Sequence, residues 1–407
     1  MKSRAEVQVE ILGGPNVYAP NLCGDLMRLG YSRARPLTVP QTMEIVKGPR
    51  PDSILVIDAQ NSDVEAICRE LHGNPNAMPL ILATTYDVDT CKPAGRVAQA
   101  DDLVSVPVVA EEVLARLDIL TSQAGERDLR LPRCGEHIDQ YTITGTIAWA
   151  EDSYVFKVHP DIGDKIQVMK MLSQEASRDE NLVHHFDREL QMMDDFRGND
   201  RIVQVLARGE FAGHAYCVME YVDGSDVSHI IANRGRGNYD TVANVACGLA
   251  EALNAVHAAE IIHRNIKSEK VFVTKDGAVK LAGFGMALRS HESRLTEMDW
   301  ATGMPRYTAP EIPMSGTVTA ATDTYSYGAT LYHLIAGRSP FEADNPSDMI
   351  RAHMTQAPMA LSECRPEVPQ DWDELVVNRC LAKDPENRPA SMAEVLHLLD
   401  SMADARF

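Results

Sequence analysis

The sequence predicts a multidomain chain: a small doubly wound α/β domain with a parallel sheet, then a larger α+β domain in two lobes. Three observations predict it. At 407 residues the chain is too long for one compact core. Its first part alternates continuous apolar runs with stretches of helical spacing. From Tyr141 onward, strand-like text gives way to helix-like text after Pro310.

In the first part, "SILVID" (53–58) and "PLILATT" (79–85) are unbroken apolar runs, as strands buried on both faces of a parallel sheet require. Between them "DVEAICREL" places Val64, Ile67 and Leu71 at helical intervals, and "VVAEEVLARLDIL" (108–120) repeats that spacing. This is a βαβ rhythm. Residues 122–137 lose periodicity and mix charge with Gly and Pro, which predicts a linker. The larger domain opens with the strands "YTITGTIAW", "YVFKVHP" and "KIQVMKML". A helix follows with Phe186, Leu190 and Met193 on one face, then the strands "IVQVLA" and "HAYCVMEYV". Asp276-Gly277 marks a hairpin turn between "VFVTK" and "AVKLAGFG". Near the end, Ser391 and Glu394 have capping-box spacing.

Composition narrows the function classes. An apolar share of 44% allows a core. A net charge of -20 argues against nucleic acid or an anionic membrane as partner. The eight cysteines contain no CxxC pair, so neither a zinc site nor a disulfide framework is indicated. The N-terminus lacks the apolar stretch of a signal peptide, and no uncharged run reaches the roughly 20 residues needed to span a bilayer. The expectation is a soluble, cytoplasmic protein.

From Tyr141 to about Leu399, eight short motifs occur in register: "VMK" (168–170), "FDREL" (186–190), "VMEYVDG" (218–224), "HRNIKSEK" (263–270), "GFG" (283–285), "APE" (309–311), "DTYSYG" (323–328) and "DPENRP" (384–389). Together they resemble the eukaryotic-type (Hanks-type) Ser/Thr protein kinases. The first 121 residues resemble a response-regulator receiver. The implied fold class is therefore an α/β flavodoxin-like receiver-type domain (1–121), a linker (122–140) and a two-lobed protein-kinase-like domain (141–407). Its N-lobe would cover about 141–222 and its C-lobe about 223–402.

The kinase resemblance implies roles residue by residue. Lys170 matches the lysine that pairs with nucleotide phosphates, and Glu189 matches its helix partner, although such a pair could merely tie a helix to a sheet. Glu220 to Val222, behind Met219, match the segment whose backbone reads adenine. Glu311 and Arg388 match a buried ion pair; Asp323 matches the anchor of the catalytic loop, and His263 also persists. Arg264 matches the arginine that grips a phosphorylated activation segment, where Ser290, Ser293, Thr296 and Thr302 are either acceptors or ordinary hydroxyls.

Other positions depart from the family. The glycine-rich loop is replaced by Ala148, Trp149, Ala150 and Ser153, although only glycine lets backbone approach phosphates without obstruction. Asn265 stands where the family has its catalytic Asp, and a carboxamide has no useful basicity. Lys270 and Gly283 replace the two magnesium ligands, and magnesium wants hard oxygens. Lys270 is either a cation standing in for the metal against phosphate, or a salt-bridged or solvent-facing lysine. Val168 narrows the adenine site and Met304 replaces a threonine.

In the receiver-like part, Asp58 falls on the phospho-acceptor position and Thr84 on the hydroxyl switch. Gly13-Gly14 and Val106 replace the acidic pair and the lysine. The expectation is thus a pseudokinase with a pseudoreceiver, a catalytically inactive scaffold or regulator. It would contact other signalling proteins, including an active kinase. No metal or required cofactor is expected, and the ligand left open is ATP or ADP without magnesium. The alternative is a nucleotide-binding sensor, or an unconventional ATP-dependent Ser/Thr kinase or transferase.

Overall fold

The computed structural model describes residues 8–12, 19–28, 31, 33–45, 53–58, 67, 80–84, 86–87, 92–93, 102–105, 113, 135–149, 152–290, 305–343 and 345–402. The chain divides into two compact units, Met1–Val183 with Leu206–Tyr221, and His184–Val205 with Val222–Phe407.

In the first unit, the strands Arg33–Pro36, Gln8–Leu12, Ser53–Asp58, Leu80–Thr84 and Asp102–Ser105 lie side by side in that order. Every neighbouring pair is parallel. Ile54 through Ile57 are all buried, which explains the unbroken apolar run. The helix Ala19–Arg28 turns Leu22, Cys23 and Leu26 inward. Glu10 is fully buried, and its charge is answered by Arg35, whose Nε and one terminal nitrogen lie 2.7 and 2.8 Å from the two carboxylate oxygens. The helical stretches expected around Val64 and beyond Pro107 fall largely outside the described residues, apart from buried Ile67 and Val113.

The same unit carries a six-stranded sheet in the order Val205–Phe211, His214–Glu220, Gln167–Leu172, Ser153–Pro160, Tyr141–Trp149, His137–Ile138. Along Ser153–Pro160 burial alternates strictly, placing Tyr154, Phe156 and Val158 in a core with Met169, Met171, Tyr216 and Val218. Ala212 and Gly213 both take positive φ (50° and 83°), the combination a tight two-residue hairpin needs.

Two expectations shift here. The sheet begins at His137, inside the stretch read as linker. Asp139 turns the chain at φ 51° and accepts a hydrogen bond from the Tyr216 hydroxyl. The strand expected at Ile202 begins instead at Val205, because Gln204 folds a turn beneath it: its Nε2 donates to the carbonyls of Phe196, Asn199 and Ile202. Val203 meanwhile donates to the Leu281 carbonyl at 2.9 Å.

The second unit is mainly helical. The helix Tyr239–Ala258 is capped by the Asn238 side chain on the Thr241 amide. The helix Ala320–Ala336 is buried along almost its whole length and ends on Gly337 in the left-handed region. The expected hairpin forms between Val271–Thr274 and Val279–Leu281, with Gly277 at φ 87°. Ser391 caps the helix Met392–Ser401 at 3.2 Å. The Glu394 carboxylate answers the Ala390 amide at 2.8 Å, so only half of the expected box closes. Among the described residues, no helix is long and apolar enough to cross a membrane.

Candidate active site

The segment 261–290 of the second unit is built as a loop gripped from below. Ile261–Ile262 pairs with Leu288–Arg289, which fixes both ends. Just after Ile262 the chain leaves regular structure, and Arg264 takes φ 61°, a strained value for a residue with a side chain. Asp323, fully buried in the first turn of Ala320–Ala336, holds that turn. Its two oxygens accept the amides of His263 and Arg264 at 2.8 Å each, and His257 Nε2 lies 2.9 Å away. Burial pushes the Asp323 carboxyl up, but the hydrogen bond and charge of His257 and the bonds from His263 outweigh it, leaving the pKa below the usual range. His263 is also fully buried, edge-on to the Phe284 ring at 4.7 Å, and burial lowers its pKa to about 4.

Asn265 sits next in this loop. Its Nδ2 donates a long 3.4 Å hydrogen bond to the Gly283 carbonyl, a bond that a carboxylate could not donate. Gly283 is left-handed at φ 90°, and the neighbouring Ala282 amide donates to the Lys270 carbonyl at 2.9 Å. The stem of Lys270 crosses directly over Gly283: a Cβ there would meet Lys270 Cδ at 2.8 Å and Cε at 3.1 Å. Phe284 is buried against Phe196 and His263. Buried Glu189 brings its carboxylate beside Gly285, where a Cβ would lie 3.3 Å from Oε2. Arg264 Nε donates to the Met286 carbonyl.

Farther down, Arg388 and Glu311 form a two-pronged pair, 2.8 Å on each prong, with the guanidinium side chain fully buried. Arg388 also serves the carbonyls of Ala382 and Ala321 at 2.8 Å, and Thr322 donates to Glu311, so the charges are not left unsatisfied.

Other positions singled out in the sequence lie in the first unit. Lys170 lies half-buried in Gln167–Leu172, in register with Val155 on one side and Cys217 on the other. Glu220 ends the strand His214–Glu220 opposite Gln167, while Val222 already belongs to the second unit. Ala148 pairs with Val155 and Trp149 with Tyr154, so regular strand continues where the family places its first glycines. Asp58 and Thr84 end the adjacent strands Ser53–Asp58 and Leu80–Thr84. Gly13-Gly14, Val106, Ala150, Ser293, Thr296, Thr302 and Met304 lie outside the described residues. Ser290 is described and exposed, with its amide and hydroxyl both donating to the Glu260 carbonyl.

One group escaped the sequence reading. Ser268 Oγ lies 2.7 Å from the Tyr307 hydroxyl, which in turn lies 2.8 Å from His333 Nδ1. The chain ties the turn Ser268–Lys270 to the segment entering "APE", and burial raises the Tyr307 pKa to about 12. The position of Tyr307 just ahead of "TAPE" was the available signal.

The positions that the kinase resemblance assigns to magnesium, 270 and 283, offer an ammonium and a residue without a side chain. That donor set does not fit a cation that needs hard oxygens.

A protein kinase domain family matches residues 143–399. A probable serine/threonine-protein kinase of Clostridium acetobutylicum is 30% identical over 264 residues, covering 65% of this chain and 40% of that protein. Serine/threonine-protein kinase PknA of Corynebacterium glutamicum is 30% identical over 223 residues, covering 54% of this chain and 47% of its own length. The chain therefore spans less than half of these relatives. The solved kinase domain of Mycobacterium tuberculosis PknI aligns with a TM-score of 0.52 at 25% identity, covering 67% of this chain and 100% of that domain.

These similarities overturn the expectation of a non-enzymatic scaffold drawn from Asn265, Lys270 and Gly283. The related proteins are named as Ser/Thr kinases, which backs the alternative of an ATP-dependent kinase or transferase. The expectation gave the three exchanged side chains too much weight against the loop that holds them.

Proposed function

Because the chain belongs to the protein kinase domain family, we propose that it is an ATP-dependent Ser/Thr phosphotransferase working with exchanged residues at its phosphate-handling positions. The observation that carries the reading is the catalytic-type loop itself: Asp323 grips the His263 and Arg264 amides and so fixes where Asn265 stands.

The chemistry tolerates the exchange because phosphoryl transfer asks little covalent work of the protein. Its transition state is loose, so positioning and electrostatics dominate. The attacking hydroxyl oxygen bonds to the γ-phosphorus as the bond to ADP breaks, and the hydroxyl proton passes to a phosphoryl oxygen or to water. Asn265 has its Nδ2 engaged with the Gly283 carbonyl, which leaves Oδ1 to accept from the hydroxyl and aim it. Charge stabilisation falls to cationic side chains, since the residues present do not fit magnesium.

The full chain incubated with γ-labelled ATP and a Ser/Thr-rich acceptor protein should put label on serine or threonine. Asn265→Ala should slow transfer about tenfold to a hundredfold, the range of one misplaced orienting group. Nucleotide binding without any label transfer would sink the proposal.

The first 121 residues complete the proposal as a receiver-like domain, joined to the kinase-like part by the stretch ahead of the strand at His137. Support comes from the parallel strand order 2-1-3-4-5, with Asp58 and Thr84 at the carboxyl ends where such sheets bind ligands. With Gly13-Gly14 and Val106 at the partner positions, a small phosphodonor with magnesium should add no phosphoryl mass at Asp58; a gain would contradict the pseudoreceiver. The proposed setting is the cytoplasm, with other signalling proteins as partners.

A further inference from the structure

We propose that Lys270 and Gly283 form a paired exchange. The Lys270 ammonium takes over the charge role of a divalent cation toward the phosphate chain of a nucleotide, and the bare residue 283 makes room for its stem. The inference rests on the ATP reading above and adds how the phosphates are held.

Three observations of this chain carry it. The Lys270 stem occupies the space of a side chain at 283: Cδ, Cε and Cγ would lie 2.8, 3.1 and 3.2 Å from a Cβ there. Gly283 stands at φ 90°, a conformation that side-chain-bearing residues rarely adopt, so the backbone as well as the space favours glycine. The proximity is also built into the backbone. The Ala282 amide is hydrogen-bonded to the Lys270 carbonyl at 2.9 Å, and Asn265 Nδ2 donates to the Gly283 carbonyl at 3.4 Å. A carboxylate at 283 and a lysine at 270 thus compete for one place, and the two replacements make physical sense only together.

The chemistry follows from the side chain. An ammonium is a compact point charge with three donors, suited to phosphate oxygens, and its flexible stem needs a path across the backbone. Lys270 is half-buried, so solvent screens its charge less than that of a fully exposed lysine. It cannot bridge two phosphates as rigidly as a divalent ion, so the exchange favours binding that ignores magnesium.

Calorimetric titration of ATP into the full chain, with chelator and then with excess magnesium, tests the exchange. The wild type should bind about equally in both conditions, and Lys270→Met should weaken binding about tenfold in both. The double variant Lys270→Asn with Gly283→Asp should bind only with magnesium. Strict magnesium dependence of the wild type, or unchanged affinity in Lys270→Met, overturns the exchange while leaving the proposed phosphotransferase standing. Absence of ATP binding in every condition overturns both. Melting supplies a readout independent of nucleotide: Gly283→Ala should lower Tm less when Lys270 is already alanine, and strictly additive effects would contradict the shared space.

Discussion

The floor of the loop at 263–270 and the residues along it obey different rules. Below, Asp323 accepts the His263 and Arg264 amides and meets His257, and Arg388 pairs with Glu311 on two prongs while serving further carbonyls. Above, Asn265, Lys270 and Gly283 meet through the Gly283 carbonyl and the Lys270 stem, beside the left-handed Arg264 and the Ala282–Lys270 hydrogen bond. The difference teaches that loop shape and loop chemistry are set by separate residues. Shape is written in buried charges whose loss is costly. The proposed chemistry rests on the side chains and the bare residue set above those charges.

The largest effect is expected at the floor. Arg388→Ala leaves the Glu311 carboxylate without its guanidinium and should cost about 3–5 kcal/mol in denaturant unfolding. A loss below 1 kcal/mol would mean the floor does not hold the shape.

The next effect is in pH. His353 is 1% exposed, and burial first, then the Lys383 charge, lowers its pKa to about 4. An unfolded histidine titrates near 6.5. The folded value is depressed, so the unfolded state takes up the proton first as pH falls. Stability contributed by the neutral ring is therefore full above about pH 6.5 and lost progressively toward pH 4, up to about 3 kcal/mol for this group. His263, also lowered to about 4, adds a slope of the same sign. Unfolding followed from pH 7 to 4 should show the decline, and His353→Leu should flatten it. An unchanged slope in that variant would assign the decline elsewhere.

A gentler probe sits above the floor. Lys270→Met should change unfolding by less than about 1 kcal/mol, since a half-exposed lysine contributes little to the fold, while weakening nucleotide binding. A large stability loss would make residue 270 part of the floor and blur the comparison. Smallest is Ser391→Ala, which removes the Oγ acceptor of the Glu394 amide and should cost about 1 kcal/mol by thermal melting, with no effect on label transfer.

Much of the floor was legible in the sequence, because ion-pair partners, cap residues and hairpin turns are residue types at recognisable positions. Asp276-Gly277, Ser391 and the Glu311–Arg388 pair are of this kind. The beginning of the sheet was not, since His137 follows a Gly/Pro-bearing stretch and the turn is fixed by partners such as Tyr216, which bonds Asp139 from far along the chain. The strand expected at Ile202 slipped because Gln204 bonds backward to three carbonyls, a local arrangement that apolar periodicity does not record. Least legible was the site. Read singly, Asn265, Lys270 and Gly283 are three losses. Only folding brings the Lys270 stem over Gly283 and ties Asn265 to its carbonyl, turning separate departures into one connected arrangement. His257 and Tyr307 were missed for the same reason: each acts through a partner distant in sequence.

The most direct test of the proposed phosphotransferase is transfer of the γ-phosphoryl group. Wild-type protein supplied with γ-labelled ATP should label serine or threonine on an acceptor, and Asn265→Ala should do so at least about tenfold more slowly at unchanged Tm. Label that never rises above that of heat-denatured protein, with the chain folded and the acceptor in excess, would contradict it.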